Sequence, residues 1–165
     1  MKNIFFIIGN YGVGKSTNIR YEIIKKETIF LEIFNNVWIL GETTEGADTL
    51  SKYKKEDIIN KVVENKTKNI IITGNYYCQY VDYEKLAKHF NLKTIYLKTD
   101  FVTNANRIAK RGKNINVETY NQKLKSHLSL LNKVKKMSKI FIVDNNKDIE
   151  IVKPFIKKII LNETN

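Results

Sequence analysis

The feature of this sequence that most constrains its fold is a glycine-rich string near the amino terminus. Residues 9–17 read Gly-Asn-Tyr-Gly-Val-Gly-Lys-Ser-Thr and contain the pattern G-x-x-x-x-G-K-S. Such a loop can wrap a phosphate with backbone N–H groups, because glycine permits tight curvature and close approach. The pattern needs a buried strand before it, which the apolar residues 4–8 supply, and a helix after it. It therefore predicts a nucleotide-phosphate site formed by Gly9, Asn10, Tyr11, Gly12, Val13, Gly14, Lys15, Ser16 and Thr17.

Two side chains of this loop have predicted chemical roles. Lys15 would bring a positive charge to the outer phosphates, and Ser16 would offer its hydroxyl to Mg²⁺ at a helix start that favours anions. A GTPase is disfavoured, because residues 145–148 (Asn-Asn-Lys-Asp) lack the N-K-x-D spacing. A motor-type ATPase is disfavoured because residues 70–74 end without an acid. Asp144 remains a minor candidate for the magnesium shell.

Apolar runs alternate with helical patterns along the chain, which predicts an α/β fold. Continuous apolar strands joined by helices indicate a mostly parallel, five-stranded sheet covered on both faces, in a single domain of residues 1–165. Residues 28–34 and 37–40 form either a hairpin or one bent strand. Asp100 is placed to cap the helix predicted at 101–111. The other predicted strands are 4–8, 69–73, 94–97 and 140–143, and the other helices 15–26, 56–66, 83–90, about 117–134 and one from 149 onward. The long helix is predicted to face inward with Val117, Tyr120, Leu124, Leu128, Leu131 and Val134.

Charge and composition restrict the partners and the compartment. The net charge is +12, from 29 basic and 17 acidic residues, which favours nucleic acid, nucleotides or other polyanions. Most of the excess is lysine in a chain rich in Lys, Asn and Ile, so the three arginines, at 20, 107 and 111, are more informative. The single cysteine, Cys78, excludes an internal disulfide and fits a reducing, cytoplasmic compartment. No apolar run approaches the roughly 18 residues of a transmembrane helix, so a membrane partner is not expected.

The size and the order of elements resemble the small nucleoside, nucleotide and polynucleotide kinases of the P-loop class. The resemblance rests on residues 9–17, the segment around Asp48, the pair Arg107 and Arg111, and the final strand and helix. It implies a kinase-type P-loop NTPase fold of three α/β/α layers, the use of ATP and Mg²⁺, and an arginine-bearing lid over the transferred phosphoryl group. Arg107 and Arg111 are four residues apart and so share a helix face, which fits such a lid. The alternative for this pair is a solvated basic face.

The segment after the second predicted strand carries a more specific resemblance. Residues 40–51 read LGETTEGADTLS. They resemble the L-G-x-x-x-x-G-x-D-x-L-S stretch of phage-type P-loop kinases, which include enzymes that phosphorylate 5-hydroxymethyluracil within DNA. Phosphoryl transfer to a hydroxyl needs a carboxylate to take the proton, and Asp48 is the candidate general base. Glu42 and Glu45 are alternatives, and Asp48 could also be a simple helix cap.

A polar and aromatic segment follows the strand predicted at 69–73. Its tyrosines could stack on a base or could plug the edge of the core, and both interpretations stay open. Cys78 is expected to be a small buried filler. His89 and His127 show no metal-ligand spacing. The segment contains Thr73, Gly74, Asn75, Tyr76, Tyr77 and Tyr80.

The resulting hypothesis is an ATP-dependent kinase that transfers the γ-phosphoryl group to a hydroxyl of a nucleotide-type acceptor. Lys15, Asp48, Arg107 and Arg111 are its candidate catalytic residues, and Ser16 is its candidate metal ligand. The preferred acceptor is 5-hydroxymethyluracil in DNA, in the host cytoplasm if the chain is phage-encoded. One alternative is a free nucleoside or nucleoside monophosphate kinase, and another is a nucleotide-binding regulatory protein without phosphotransfer. The sequence leaves the oligomeric state open.

Overall fold

The computed structural model describes residues 1–34, 36–41, 53–74, 78 and 81–165, and these form a seven-stranded sheet flanked by helices. The strands are β1 (Lys2–Gly9), β2 (Lys25–Glu27), β3 (Phe30–Phe34), β4 (Val37–Leu40), β5 (Asn69–Thr73), β6 (Phe90–Lys98) and β7 (Lys139–Asp144). The helices are α1 (Lys15–Asn18), α2 (Lys55–Glu64), α3 (Tyr83–Ala87), α4 (Phe101–Ala109), α5 (Val117–Val134) and α6 (Ile149–Thr164). Within the described ranges, no helix is long and apolar enough to cross a membrane.

The strands are arranged in the order β2-β3-β4-β5-β1-β6-β7. The run from β4 to β7 is parallel, whereas β2 and β3 pair antiparallel at one end. The predicted mostly parallel sheet is confirmed, and the hairpin alternative for residues 28–40 is the one found. The five-stranded expectation is too low, because β3 and β4 are separate strands and β2 adds another at the edge.

The sheet is covered on both faces, as the sequence predicts. Ile4, Phe6 and Ile8 of β1 pack with residues of α2, α3 and α5 on one face. Phe5 and Ile7 pack on the other face with residues of α6. Because successive side chains of a strand point to opposite faces, the continuous apolar run of β1 serves both layers. The result is the predicted three-layer α/β/α arrangement.

The helix predicted at residues 15–26 is wrong. The helix α1 ends at Asn18, and residues 25–27 form the edge strand β2. Ile23 and Ile24, which would share one face of that helix, are 52% and 65% exposed. The backbone N–H of Ile24 donates to the carbonyl of Glu32 at 2.8 Å, so pairing with β3 takes the backbone groups that a helix would need. Ile23 and Ile24, which lead into β2, are β-branched, and such residues suit extended backbone better than a helix.

The long helix α5 has the predicted bounds but a different buried face. Tyr120, His127, Leu130 and Val134 are buried, whereas Leu128 is 42% exposed. Val117 is also outside the core, at 55% exposed. Apolar residues lie on two adjacent stripes of this helix, and the stripe that is buried includes His127, whose pKa is lowered in part by Lys15. Tertiary packing therefore determines which of the two stripes is buried, and the periodicity of the sequence alone does not distinguish them.

Two boundaries near the middle of the chain also differ from the sequence prediction. The helix α3 stops at Ala87, and β6 begins at Phe90, four residues earlier than predicted, because it pairs with β1 from Lys2 onward. The predicted cap of α4 is confirmed. The side chain of Asp100 accepts a hydrogen bond from the backbone N–H of Thr103 at 2.7 Å.

Candidate phosphate-binding site

The glycine-rich loop begins where β1 ends, between the carboxyl ends of β5 and β6. Gly12 and Gly14 have φ values of 77° and 86°, a left-handed conformation that glycine adopts without strain. A Cβ on Gly9 would lie 2.8 Å from the carbonyl oxygen of Leu97, and one on Gly12 would lie 2.5 Å from Ile108 Cγ1. The glycines are therefore required by backbone conformation and by packing. The loop opens at the edge of the sheet where ligands of parallel α/β folds bind.

Buried asparagines hold the outer side of this loop. Asn145, just after β7, donates from Nδ2 to the carbonyl of Val13. Asn18 Nδ2 donates to the Gly14 carbonyl at 3.0 Å and to Asn145 Oδ1 at 3.2 Å. Asn10 Oδ1 accepts from the Tyr11 backbone N–H at 2.7 Å. Asn10 lies in the predicted loop, but the roles of Asn18 and Asn145 could not be predicted, because no local pattern distinguishes them in an asparagine-rich chain.

Lys15 lies across the mouth of the loop. Its Nζ donates to the carbonyl oxygens of Gly9 and Asn10, both at 3.0 Å. Burial lowers the pKa of Lys15 to about 8; the neighbouring Cys78 thiol acts in the opposite direction, while Arg111 and Lys123 lower the pKa further. An ammonium held by carbonyls amid other cations is poised to pair with an anion.

The two predicted lid arginines occupy different positions. Arg107 lies in α4 and donates from Nη1 to the Val13 carbonyl at 3.3 Å and from Nη2 to the Lys147 carbonyl at 3.2 Å. Arg111 is exposed and lies two residues beyond the end of α4, so the predicted shared helix face is wrong. The helix ends early because the N–H groups of Arg111 and Gly112 close short turns on Ile108 and Ala109. Arg107 therefore contacts the loop directly, while Arg111 brings its charge to Lys15 from the solvent side.

The helix α5 adds two residues that the sequence analysis did not assign to the site. Lys123 Nζ lies 5.1 Å from the centroid of the Tyr11 ring, which places a further cation over the loop. His127 is buried, and its pKa is lowered to about 4 by burial first, with Lys15 and Lys123 adding to the shift. His127 is therefore neutral at pH 7. The signal for both was their spacing from Tyr120, which puts Lys123 and His127 on the same side of α5 as that residue, with Lys123 exposed and His127 buried.

Several buried polar atoms in the elements around the loop have no hydrogen-bond partner in the described part of the chain. Thr73 ends β5 beside β1, and Asn104 lies against Gly12. Nearly all buried polar atoms of native proteins have a hydrogen-bond partner, so we expect water or a ligand to bond to these atoms. These atoms are Asn18 Oδ1, Thr73 Oγ1, Thr99 Oγ1 and both side-chain polar atoms of Asn104.

The residues present fit Mg²⁺ bound together with phosphate. Ser16 is exposed in the first turn of α1, and Mg²⁺ commonly takes few protein oxygens, with phosphates and water completing its shell. Among the described residues, no three His, Cys, Asp or Glu side chains form a metal cluster. The carboxylate of Asp144, the minor magnesium candidate, is exposed and accepts from the Asn146 backbone N–H at 3.1 Å. Ser16 is therefore the described residue best placed to hold the ion.

Some candidate residues lie outside the described part of the chain. They are Asp48, Glu42, Glu45, Asn75, Tyr76, Tyr77 and Tyr80. Their assignments stay predictions. Cys78 is described and is fully buried, as expected for a small apolar filler.

Comparisons with known proteins give matches at the level of structure only. No protein-family model matches the chain, and no curated protein matches it. A deoxyadenosine kinase from M. mycoides with bound products is 18% identical, with 96% of this chain and 98% of that chain covered at a TM-score of 0.50. A shikimate kinase from Bacteroides thetaiotaomicron is 15% identical, with 97% and 98% covered and a TM-score of 0.53. A gluconokinase from Sinorhizobium meliloti is 13% identical, with 98% and 93% covered and a TM-score of 0.52. The chain therefore has the α/β fold of P-loop-type kinases.

Proposed function

We propose that this chain is an ATP-dependent kinase that transfers the γ-phosphoryl group to a hydroxyl of a nucleoside-type acceptor. The observation that carries the proposal is the geometry of the loop at residues 9–17. Its glycines are required by conformation and packing, and the Lys15 ammonium lies at its mouth beside Arg111 and Lys123. Kinase chemistry on this fold is supported by the structural likenesses, which span nearly the whole chain.

The described residues can divide the work of phosphoryl transfer among them. Backbone N–H groups of the loop and the Lys15 ammonium bind the donor phosphates, and Ser16 holds Mg²⁺. When bound, Mg²⁺ neutralises charge on those phosphates. Lys15, Arg107 and Arg111 stabilise the negative charge of the phosphoryl group in the transition state.

The reaction balances with one proton and one phosphoryl group. The acceptor hydroxyl oxygen forms a bond to the γ-phosphorus while the bond from that phosphorus to the β–γ bridging oxygen breaks. The bridging electron pair leaves with ADP, and the hydroxyl proton passes to a carboxylate, for which we propose Asp48.

A free nucleoside is our first choice of acceptor, and DNA is the second candidate. The nucleoside is supported by the likeness to the M. mycoides deoxyadenosine kinase. DNA as a polyanion is favoured by the net charge of +12, and the choice of 5-hydroxymethyluracil within it comes from the resemblance of residues 40–51. The test supplies γ-labelled ATP with free deoxynucleosides, nucleoside monophosphates and 5-hydroxymethyluracil DNA in parallel.

Each outcome of this screen distinguishes the candidates. Label on free nucleosides supports the first choice, and label on DNA that falls steeply with added salt supports the second. ATP binding without label on any acceptor would favour a regulatory nucleotide-binding protein. Failure to bind ATP at all would contradict the proposed function.

Nucleotide binding should weaken at alkaline pH because Lys15 loses its proton. The pKa of Lys15 is about 8 in the protein. Bound phosphate would raise that pKa, since it favours the charged ammonium. Affinity for ADP should therefore be flat below about pH 8 and fall by up to about tenfold per pH unit above it. Calorimetric titration at several pH values measures this slope, and ionisation of the phosphate near pH 6 does not interfere.

The Lys15→Ala variant is the control for this pH dependence. Its residual ADP affinity should show no fall above pH 8, because the titrating group is gone. A wild-type affinity that stays constant from pH 7 to 10 would contradict the role of Lys15.

The Asp48→Asn variant tests the proposed general base. The substitution keeps the shape but removes the proton acceptor, so kcat should fall by roughly 10²–10⁴. ATP affinity should barely change, because a general base acts on the acceptor hydroxyl and not on the donor phosphates. The matched changes Glu42→Gln and Glu45→Gln should leave kcat near normal.

Three measurements on the Asp48→Asn variant separate the alternatives for this residue. Weaker nucleotide binding in Mg²⁺ would indicate a magnesium role. A stability loss of about 1 kcal/mol with intact kcat would indicate a helix cap. Full kcat at unchanged stability would move the assignment to Glu42 or Glu45.

A further inference from the structure

The side chain of Asn104 is buried without a hydrogen-bond partner. It lies in α4 and is 0% exposed, and neither its Oδ1 nor its Nδ2 has a partner in the part of the chain that the structure describes. Its backbone N–H is satisfied by the Asp100 carbonyl at 3.1 Å, so the deficit concerns only the side-chain amide. A buried amide in this state destabilises the fold relative to an apolar residue of similar size.

Asn104 lies against the phosphate loop. Its Oδ1 is 3.1 Å from the position that a Cβ on Gly12 would take, next to the side chain of Ile108. From the same helix, Arg107 donates to the Val13 carbonyl. The amide of Asn104 is therefore the polar group of α4 that touches the loop without bonding to it.

The hydrogen bonds of Lys15 indicate what a phosphate would change. In this structure the ammonium donates to the carbonyls of Gly9 and Asn10. A phosphate competes for the same ammonium, since charge-assisted hydrogen bonds to an anion are stronger than those to neutral carbonyls. The carbonyls of Gly9 and Asn10 would then lose the lysine as a donor, in the same loop against which the Asn104 amide packs at Gly12.

We propose that Asn104 is a positioning residue, whose side-chain amide hydrogen-bonds the loop backbone near Gly12 when nucleotide phosphates engage Lys15. The inference rests on the proposed nucleotide site and adds to it a residue that does not touch the nucleotide. It also couples occupancy of the loop to α4, because Arg107 and Asn104 belong to the same helix. The cost of the buried amide in the free protein is offset only in the bound state.

The test compares Asn104→Leu with Asn106→Leu in the full chain. Leucine has the branched shape of asparagine without its polar atoms, although it is larger, and Asn106 is an exposed residue of the same helix. Asn104→Leu should leave the free protein at least as stable as wild type and weaken ADP affinity about 5- to 10-fold, the loss of about one hydrogen bond. Asn106→Leu should leave ADP affinity unchanged. Chemical denaturation without ADP and calorimetric titration with ADP and Mg²⁺ provide the two readouts.

A smaller substitution guards against crowding by leucine at Gly12. Asn104→Ala, with Asn106→Ala as its control, should show the same 5- to 10-fold loss of ADP affinity. Its gain in denaturation midpoint on adding ADP should be smaller than that of wild type. Wild-type ADP affinity in both Asn104 variants would overturn the inference, as would a stability loss equal with and without ADP. A wild-type chain that does not bind ADP would overturn the proposed function and this inference together, whereas binding by wild type with unaffected variants would overturn the inference alone.

Discussion

Replacing Lys15 with alanine should abolish phosphotransfer and leave the fold intact. The ammonium contacts the carbonyls of Gly9 and Asn10 at the loop mouth and takes no part in the hydrophobic clusters that cover the sheet. Its charge is needed at the donor phosphates and during transfer, so kcat/KM should fall by at least about 10³.

The pKa of Lys15 fixes the sign of the stability change that Lys15→Ala should cause. The pKa of Lys15 in the folded chain is about 8, below its ordinary value of 10.5, so folding disfavours its charged form. Below pH 8 the alanine variant should therefore be no less stable than wild type. Turnover of labelled ATP and thermal melting measure the two effects, and Lys110→Ala, at an exposed lysine, is the matched control. Near-normal turnover in Lys15→Ala would refute the kinase proposal.

Removing the lid arginines should slow phosphoryl transfer more than it weakens ATP binding. Their charge matters most in the transition state of phosphoryl transfer. Loss of a single arginine is known to lower kcat by about 10³ or more in this chemistry. Arg111 is exposed, so Arg111→Ala should lower kcat by about 10³ with unchanged stability. Arg107 also tethers the carbonyls of Val13 and Lys147. Arg107→Ala should therefore lose about 1 kcal/mol of stability and some ATP affinity in addition to its loss of kcat.

The third arginine of the chain supplies the control for this pair. Arg20 lies after α1, and Arg20→Ala should retain kcat and ATP affinity. Steady-state kinetics and ATP titration on all three variants compare the positions directly. Unchanged kcat in both Arg107→Ala and Arg111→Ala would indicate that these residues form only a solvated basic face.

Local sequence patterns determined the scaffold of this protein. Residues 4–17 predicted a buried strand that runs into a glycine-rich loop, and the structure places that loop at the end of β1 in the sheet. Asp100 predicted a helix start, and its carboxylate caps α4. These features are readable because strand burial, glycine conformations and helix caps depend on neighbours within a few residues.

The contents of the site were decided by tertiary structure. The hydrogen bonds that hold the outer side of the loop join Asn145 to Val13 and to Asn18, across 132 and 127 residues of chain. No local pattern encodes such pairs. The rotation of α5 that brings Lys123 and His127 to Lys15 depends on which of two apolar stripes packs better against the sheet. Residues 25–27 became a strand because β3 offered them backbone partners, which outweighed their helical pattern. Long-range packing and hydrogen bonding thus chose among local alternatives that were close in free energy.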